Sequence, residues 1–305
     1  MSRTILFFGN ERLATGITTR LPILNELVLN GYDVKAIVIT PQSSYRSRKP
    51  RPLEVVTFAE MHNIQIIEVR NMKDSIKQLK DLGAEIGLLA AFGKIVPQEV
   101  INIFPKGIIN VHPSLLPRHR GSMPIEAPIL EGETETGVSL MKLVKEMDAG
   151  PVYDQMRIKL EGHETKQELA DKLGQMGAQR LIELLPEILN DTLIPLEQSD
   201  NDVTYDGRIT QDMGIMDFNK PAAVLEREIR AFAGWPRSKT ELNKKPVVVT
   251  HGRAVISAAG EPGKFIEYDG NLAVGTSNGI LIIDRLIPAN SKEMSGKDYL
   301  RGHPL

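Results

Sequence analysis

The sequence predicts an α/β fold: a doubly wound, mostly parallel Rossmann-like sheet domain, followed by a small OB-like β-barrel domain. Three observations predict it. Short apolar runs alternate with helical patterns from the N-terminus to His112, the signature of βαβ units with right-handed crossovers. One long helical pattern then covers Thr165 to Leu189, and beyond Tyr205 short β runs dominate, broken by Gly and Asp-Gly turns. With 305 residues the chain exceeds the size at which single hydrophobic cores stop growing, so two domains are expected.

In chain order, Thr4–Phe8 reads as a strand, Leu13–Asn30 as a helix, Val34–Ile39 as a strand, Leu53–His62 as a helix and Gln65–Glu68 as a strand. Lys73–Leu82 is helical, Ile86–Ala91 a buried strand, Pro97–Ile103 a short helix and Gly107–His112 a strand. Thr165 and Glu168 have capping-box spacing at the start of the long helix. Asp191–Tyr205 is polar, contains Pro195 and lacks periodicity, which marks a linker. A helix over Ala222–Ala231 precedes five short strands: Pro246–Thr250, Arg253–Ala258, Lys264–Tyr268, Asn271–Gly275 and Gly279–Ile287. The expected domains are therefore 1–190, a catalytic sheet domain, and 206–305, a barrel of a kind that commonly contacts polynucleotides, with 191–205 between them.

Composition narrows the function classes. Hydrophobic residues make up 41% and charged residues 25%, ordinary for a globular protein. The absence of cysteine excludes disulfides, zinc-thiolate sites and thiol nucleophiles, and fits a cytoplasmic location. No apolar run approaches the ~20 residues that span a bilayer. A net charge of −2 gives no global attraction to nucleic acid, so any RNA contact needs a local basic patch. None of the six histidines pairs with another at zinc-ligand spacing, and no metal is expected. Gly9 and Gly16 do not have the spacing of the dinucleotide fingerprint and read as turn residues.

In a doubly wound sheet, ligands collect at the carboxyl ends of strands, which directs attention to Phe92-Gly93 and to the end of Gly107–His112. Alternation puts Asn110 and His112 on one face of that strand, and Pro113 ends the ladder because it has no N–H. A carboxamide can donate to a developing oxyanion and an imidazole can shuttle a proton near neutral pH, the two needs of acyl transfer. Asp148, on a Gly/Pro-punctuated loop after an apolar strand, offers a carboxylate that would orient a histidine. Taken singly, each residue also has a structural reading: a hydrogen-bonded core histidine, a strand-end asparagine, a capping aspartate. Periodicity alone leaves the choice open.

The run Asn110-Val111-His112-Pro113-Ser114-Leu115-Leu116-Pro117-Arg118-His119-Arg120-Gly121, followed by Glu133–Val138 and by Met147-Asp148-Ala149-Gly150-Pro151, resembles the formyltransferases that use 10-formyltetrahydrofolate. The resemblance implies that Asn110, His112 and Asp148 form the catalytic trio and that Ser114, Leu115, Leu116 and Pro117 form a folate-binding loop. It further implies a pterin cleft lined by main chain around Leu88, Leu89, Ala90 and Phe92 and by the loop Leu143–Asp148, Val144 included. Folate is a co-substrate in this reading.

Family members formylate a purine intermediate, nucleotide-linked amino sugars, or the methionine on initiator tRNA. The second half carries Asp202-Val203-Thr204-Tyr205 and Ala231-Phe232-Ala233-Gly234-Trp235-Pro236, which look like the members acting on initiator methionyl-tRNA, although those commonly have Asn-Pro where this chain has Ala233-Gly234. The segment Ser43–Arg51 holds Arg46, Arg48, Lys49 and Arg51, no acidic residue and an aromatic, Tyr45. A charge run is usually a solvated loop, but this one stands where the tRNA-acting members carry a basic insertion, and arginines pair with phosphates and stack on unpaired bases. The expectation is formyl transfer to initiator methionyl-tRNA by a monomeric, cytoplasmic, membrane-free enzyme. The alternatives are transfer to a nucleotide-linked amino sugar and a catalytically silent RNA-binding or folate-sensing protein.

Overall fold

The structure, a computed structural model, describes residues 4–41, 53–303 and 305. Strand β1 (Thr4–Gly9) buries Ile5 and Phe7 in one core and Leu6 and Phe8 in another. A strand covered on both faces reads as an unbroken apolar run. Helix α1 (Pro22–Leu29), β2 (Asp33–Ile39), α2 (Glu54–Met61), β3 (Gln65–Glu68), a 3-10 turn at Met72–Ser75, α3 (Ile76–Asp81), β4 (Ile86–Ala90), α4 (Gln98–Ile101) and β5 (Ile108–His112) follow. The five strands are parallel, in the order β3-β2-β1-β4-β5. Helices α1 and α2 cover the Phe7 face through Leu24 and Phe58, while α3 and α4 cover the Phe8 face through Leu79 and Val100.

After β5 come the two-residue β6 (Arg120–Gly121), α5 (Glu126–Glu131), β7 (Glu135–Lys142) and β8 (Val152–Lys159). Strands β7 and β8 add an antiparallel edge beyond β5. Helix α6 (Lys166–Leu189) opens on the expected capping box of Thr165 and Glu168. It lies against the sheet so closely that a Cβ on Gly177 would sit 2.7 Å from Val111 Cγ1, well inside van der Waals contact.

Strand β9 (Tyr205–Asp206) pairs in parallel with β6. Then α7 (Ala222–Ala231), β10 (Ser238–Leu242), β11 (Lys245–Val255), β12 (Phe265–Tyr268), β13 (Asn271–Gly275), β14 (Ile280–Pro288), β15 (Met294–Ser295) and α8 (Gly296–Gly302) complete the chain. The second half is an antiparallel sheet in the order β10-β11-β14-β13-β12, with β15 on β14. Its core joins Leu225 and Ile229 of α7 to Val249, Leu272, Leu281 and Tyr299.

Several elements differ from expectation, each for a local reason. The helix expected over Leu13–Asn30 begins only at Pro22, because Gly16 (φ 79°) and Leu21 (φ 53°) are left-handed and proline suits the first helical turn. Glu11 accepts the N–H groups of Ile23 and Leu24 at 2.8 Å each in place of a capping residue. The two strands expected over 246–258 are one, β11, whose register shifts around His251 and Gly252 bend it without ending it. Strand β10 carries no apolar run and was not expected. The stretch 191–205 is irregular, yet Leu196 and Val152 exchange two main-chain hydrogen bonds, 2.7 and 2.9 Å, so it runs as a strap along the sheet edge.

The halves meet at buried Lys166, whose Nζ donates to the Trp235 oxygen at 2.8 Å and lies 3.5 Å from Glu126. Burial drives the Lys166 ammonium down and the Glu126 carboxyl up, each partly offset by the other. Arg230 Nη1 adds a bond to the Glu164 oxygen at 2.9 Å and Arg227 Nε one to Leu130 at 3.0 Å. Among the described residues no helix is long and apolar enough to cross a membrane.

Candidate active site

Asn110 and His112 stand two residues apart at the carboxyl end of β5, both buried, on the same face. Parallel β4 flanks them through Leu89↔Asn110 and antiparallel β7 through His112↔Ser139. The Nε2 of His112 lies 2.9 Å from the main-chain oxygen of His119. A carbonyl only accepts, so Nε2 carries the hydrogen. The other nitrogen, Nδ1, is then the basic one in the neutral ring, and it lies 3.8 Å from Asp148 Oδ1.

Asp148 sits on the turn between β7 and β8 with φ 49°. Its Oδ1 accepts from Asn110 Nδ2 at 3.4 Å and its Oδ2 from the Gly121 N–H at 2.9 Å. Gly121 (φ 115°) has its β6 backbone against β9 so closely that a Cβ would lie 2.4 Å from the Asp206 oxygen, so glycine is required for the approach. The three residues picked out in the sequence thus come together around one carboxylate, though they belong to segments 38 residues apart.

The loop after β5 is held by groups that sequence reasoning missed. Ser139 Oγ donates to the Ser114 oxygen at 2.7 Å and accepts the Leu116 N–H at 3.1 Å, and Gln155 Nε2 donates to the Leu116 oxygen at 2.7 Å. Ser114 Oγ donates to the Arg118 oxygen at 2.8 Å, and the Leu116–Pro117 bond is cis. Ser114 and Leu116 are buried, with Leu115 and Pro117 partly exposed. On β4 the side chains of Leu88 and Ala90 lie in one core and that of Leu89 in the other, leaving main chain as what that strand offers a ligand. Phe92 packs edge-on against Phe8 at 5.7 Å, and Val144 is partly exposed. Arg46, Arg48, Lys49 and Arg51 lie outside the described residues.

His119 was also missed. Its Nδ1 faces Asp206 at 2.9 Å and its Nε2 faces Glu133 at 3.2 Å, while its N–H donates to Thr204 Oγ1 at 2.7 Å. Burial is the largest single influence and opposes the charge, but the two carboxylates outweigh it and raise the imidazole above its ordinary range. Among the described residues His119, Glu131 and Glu133 are close enough to hold a metal ion. Arg118 already pairs with both glutamates, chemistry that suits an ion-pair cluster rather than a bound cation. The motif blocks contained His119, Glu133 and Thr204, but nothing in the sequence paired them: β6 and β9 are two residues each, too short for a readable period.

The chain matches the formyl transferase family over residues 14–185 and the formyl transferase C-terminal domain over residues 208–304. It is 36% identical over 304 residues to the methionyl-tRNA formyltransferase of Dehalococcoides mccartyi (strain ATCC BAA-2266), covering 98% of this chain and 95% of that one. The corresponding enzyme of Bacillus mycoides is 35% identical over 291 residues, 92% of each chain. Among solved structures, the N-formyltransferase of Helicobacter canadensis in complex with folinic acid and dTDP-3-aminofucose has a TM-score of 0.68 at 19% identity, covering 96% of this chain and 100% of that one. HypX from Aquifex aeolicus in complex with tetrahydrofolic acid has a TM-score of 0.67 at 16% identity over 97% of this chain, which spans 46% of HypX. At such identities the likeness is one of fold alone.

Proposed function

This chain belongs to the formyltransferase family, and from that premise we propose that it moves the formyl group of 10-formyltetrahydrofolate to the α-amine of methionine esterified to initiator tRNA. The product is N-formylmethionyl-tRNA for translation initiation. The observation that carries the reading is the match across both halves, at 36% identity over 98% of the chain, to a relative named for this reaction. The likeness to an amino-sugar enzyme is at 19% identity and favours no second reading.

In the proposed chemistry the neutral amine adds to the formyl carbon, the bond from that carbon to folate nitrogen breaks, and one proton passes from the amine to the departing nitrogen. Asn110 donates to the oxygen that gains charge as the amine adds. His112, fixed with Nε2–H on the His119 carbonyl, presents Nδ1, which when protonated is a second donor to that oxygen. Asp148, bonded to Asn110 and 3.8 Å from Nδ1, accepts the amine's proton. Folate is assigned to the main chain of Leu88, Leu89, Ala90 and Phe92, to Val144 and to Ser114–Pro117. The burial of the β4 side chains and the prefixed Leu116 loop are what support an apolar slot with few directed polar groups.

The tRNA is assigned to Arg46, Arg48, Lys49 and Arg51 and to the C-terminal sheet, with the enzyme acting as a cytoplasmic monomer. The deciding experiment incubates the full chain and formyl-labelled 10-formyltetrahydrofolate with charged initiator tRNA in one tube and an amino-sugar nucleotide in another. Label in the aminoacyl-tRNA fraction is expected. Label only in the sugar would overturn the reading.

A further inference from the structure

The strap between the two halves reaches the catalytic turn through Gln198. Its Nε2 donates to the main-chain oxygens of Asp148 and Gly150, each at 2.8 Å. Its Oε1 accepts from Arg120 Nε at 3.2 Å and Nη2 at 2.8 Å. Arg120 is itself buried, gives Nη1 to the Tyr205 hydroxyl at 3.1 Å, and lies 5.7 Å from the centre of the Tyr205 ring.

We propose that Gln198 is a positioning residue for formyl transfer: it holds the Asp148 turn so that the carboxylate stays against Asn110 and His112. Asp148 is left-handed, φ 49°, a conformation that costs a non-glycine residue some free energy, so contacts that fix the turn bear on where its carboxylate points. Its side chain is anchored from outside the Asn110–His112 pair by one main-chain group, the Gly121 N–H. Gln198 supplies the anchors on the main-chain side, at 148 and 150. Its two acceptor bonds come from a guanidinium, and charge-assisted bonds of that kind polarise the amide and strengthen its N–H groups as donors.

The strap does not need Gln198 for its own attachment. Leu196 is bonded to Val152 in both directions, and Thr204 Oγ1 accepts from His119. Arg120 and Gly121 are consecutive in β6, so one two-residue strand fixes the Asp148 carboxylate through a main-chain N–H and the Asp148 turn through Gln198. The same strap thus ties the carboxylate's loop to the His112 loop.

The proposal rests on the assignment of the chemistry to Asn110, His112 and Asp148, and its test separates the two. Gln198→Glu keeps shape and the Arg120 contact but sets an acceptor against two carbonyls. It is measured in the full chain with 10-formyltetrahydrofolate and charged initiator tRNA, alone and combined with Asp148→Asn. Expected is a kcat loss of about 10–100-fold, the scale set by an ~1 Å misplacement, with both KM values and the melting temperature near wild type. In the Asp148→Asn background the further loss should be under about three-fold, since residues that act through one group are not additive. Additive losses, or a wild-type kcat for Gln198→Glu, overturn the proposal and leave the catalytic assignment standing. A harmless Asp148→Asn overturns both. If Gln198→Glu does not fold, Gln198→Met enters the same cycle with the same criteria.

Discussion

His112 and His119 are joined by one hydrogen bond, from Nε2 of the first to the main-chain oxygen of the second across 2.9 Å, and that bond decides which nitrogen of His112 is basic. The carbonyl is held in turn by the His119 ring, clasped between Asp206 and Glu133, and by the His119 N–H on Thr204. The hydrogen-bonding face of one histidine is therefore set by a second histidine whose own ring is occupied by Asp206 and Glu133.

Replacing His112 by alanine should lower kcat by ~10²–10⁴-fold, the usual contribution of a positioned acid–base group. Affinity for folate and tRNA should change by less than about three-fold, because the ring is proposed to act on the transition state. Single-turnover rates with equilibrium binding would check it; a near-normal rate would remove His112 from the chemistry.

The His119 cluster should make stability depend on pH. Its folded-state pKa is raised by Asp206 and Glu133 against the effect of burial, so its contribution is complete below the ordinary histidine value and is lost as pH rises through the raised one. Arg118, on Glu133 and near Glu131, shares the cluster. Melting curves of wild type should therefore fall more steeply as pH rises above 6.5 than those of His119→Gln. Parallel curves would contradict the clasp.

Glu11 predicts a second slope, at lower pH. Burial outweighs the Ile23 and Leu24 N–H bonds and lifts its carboxyl from 4.5 to about 7. The folded state then holds the proton more tightly, so the contribution is full below pH 4.5 and lost as pH rises through 7. The loss is on the order of 3 kcal/mol. Glu11→Gln, which mimics the protonated acid, should flatten denaturant-derived stability across this window, and an unchanged slope would refute the shift.

Gly177→Ala sets two effects against each other. Alanine gains about 1 kcal/mol of helix propensity, but its Cβ would sit 2.7 Å from Val111 Cγ1 and 3.1 Å from Val138 Cγ1, and overpacking costs roughly 1–3 kcal/mol. The net expectation is a lower melting temperature, and lower kcat as well, because Val111 lies between Asn110 and His112 on β5. A stabilised variant would mean that α6 can move away from the sheet at little cost.

The basic segment makes its own prediction. Replacing Arg46, Arg48, Lys49 and Arg51 together by alanine should weaken tRNA binding and reduce the slope of log K against log salt by roughly 0.7–0.9 per lost phosphate contact. Folate affinity should be unaltered. Equal salt slopes for variant and wild type would remove the segment as an RNA contact.

The sequence by itself determined the element order as far as β5, the capping box of α6 and the pairing of Asn110 with His112 on one face of β5, while Asp148 was joined to them by resemblance to the family. Each of the first three rests on a short-range signal: a run of apolar residues for a doubly covered strand, a Thr-to-Glu spacing of three for the cap, and period-two alternation that puts Asn110 and His112 on one face. It misjudged places where backbone geometry overrides pattern, such as Leu13–Leu21, where left-handed residues delay the helix, and the bend in β11. What only the tertiary structure decided is everything that crosses the chain. Gln198 on Asp148, His119 between Asp206 and Glu133, Ser139 under the Ser114–Pro117 loop and Lys166 against Trp235 join residues between 14 and 87 positions apart. A hydrogen bond between polar groups far apart in sequence leaves no period to read, because it depends on where two separately folded backbones happen to meet.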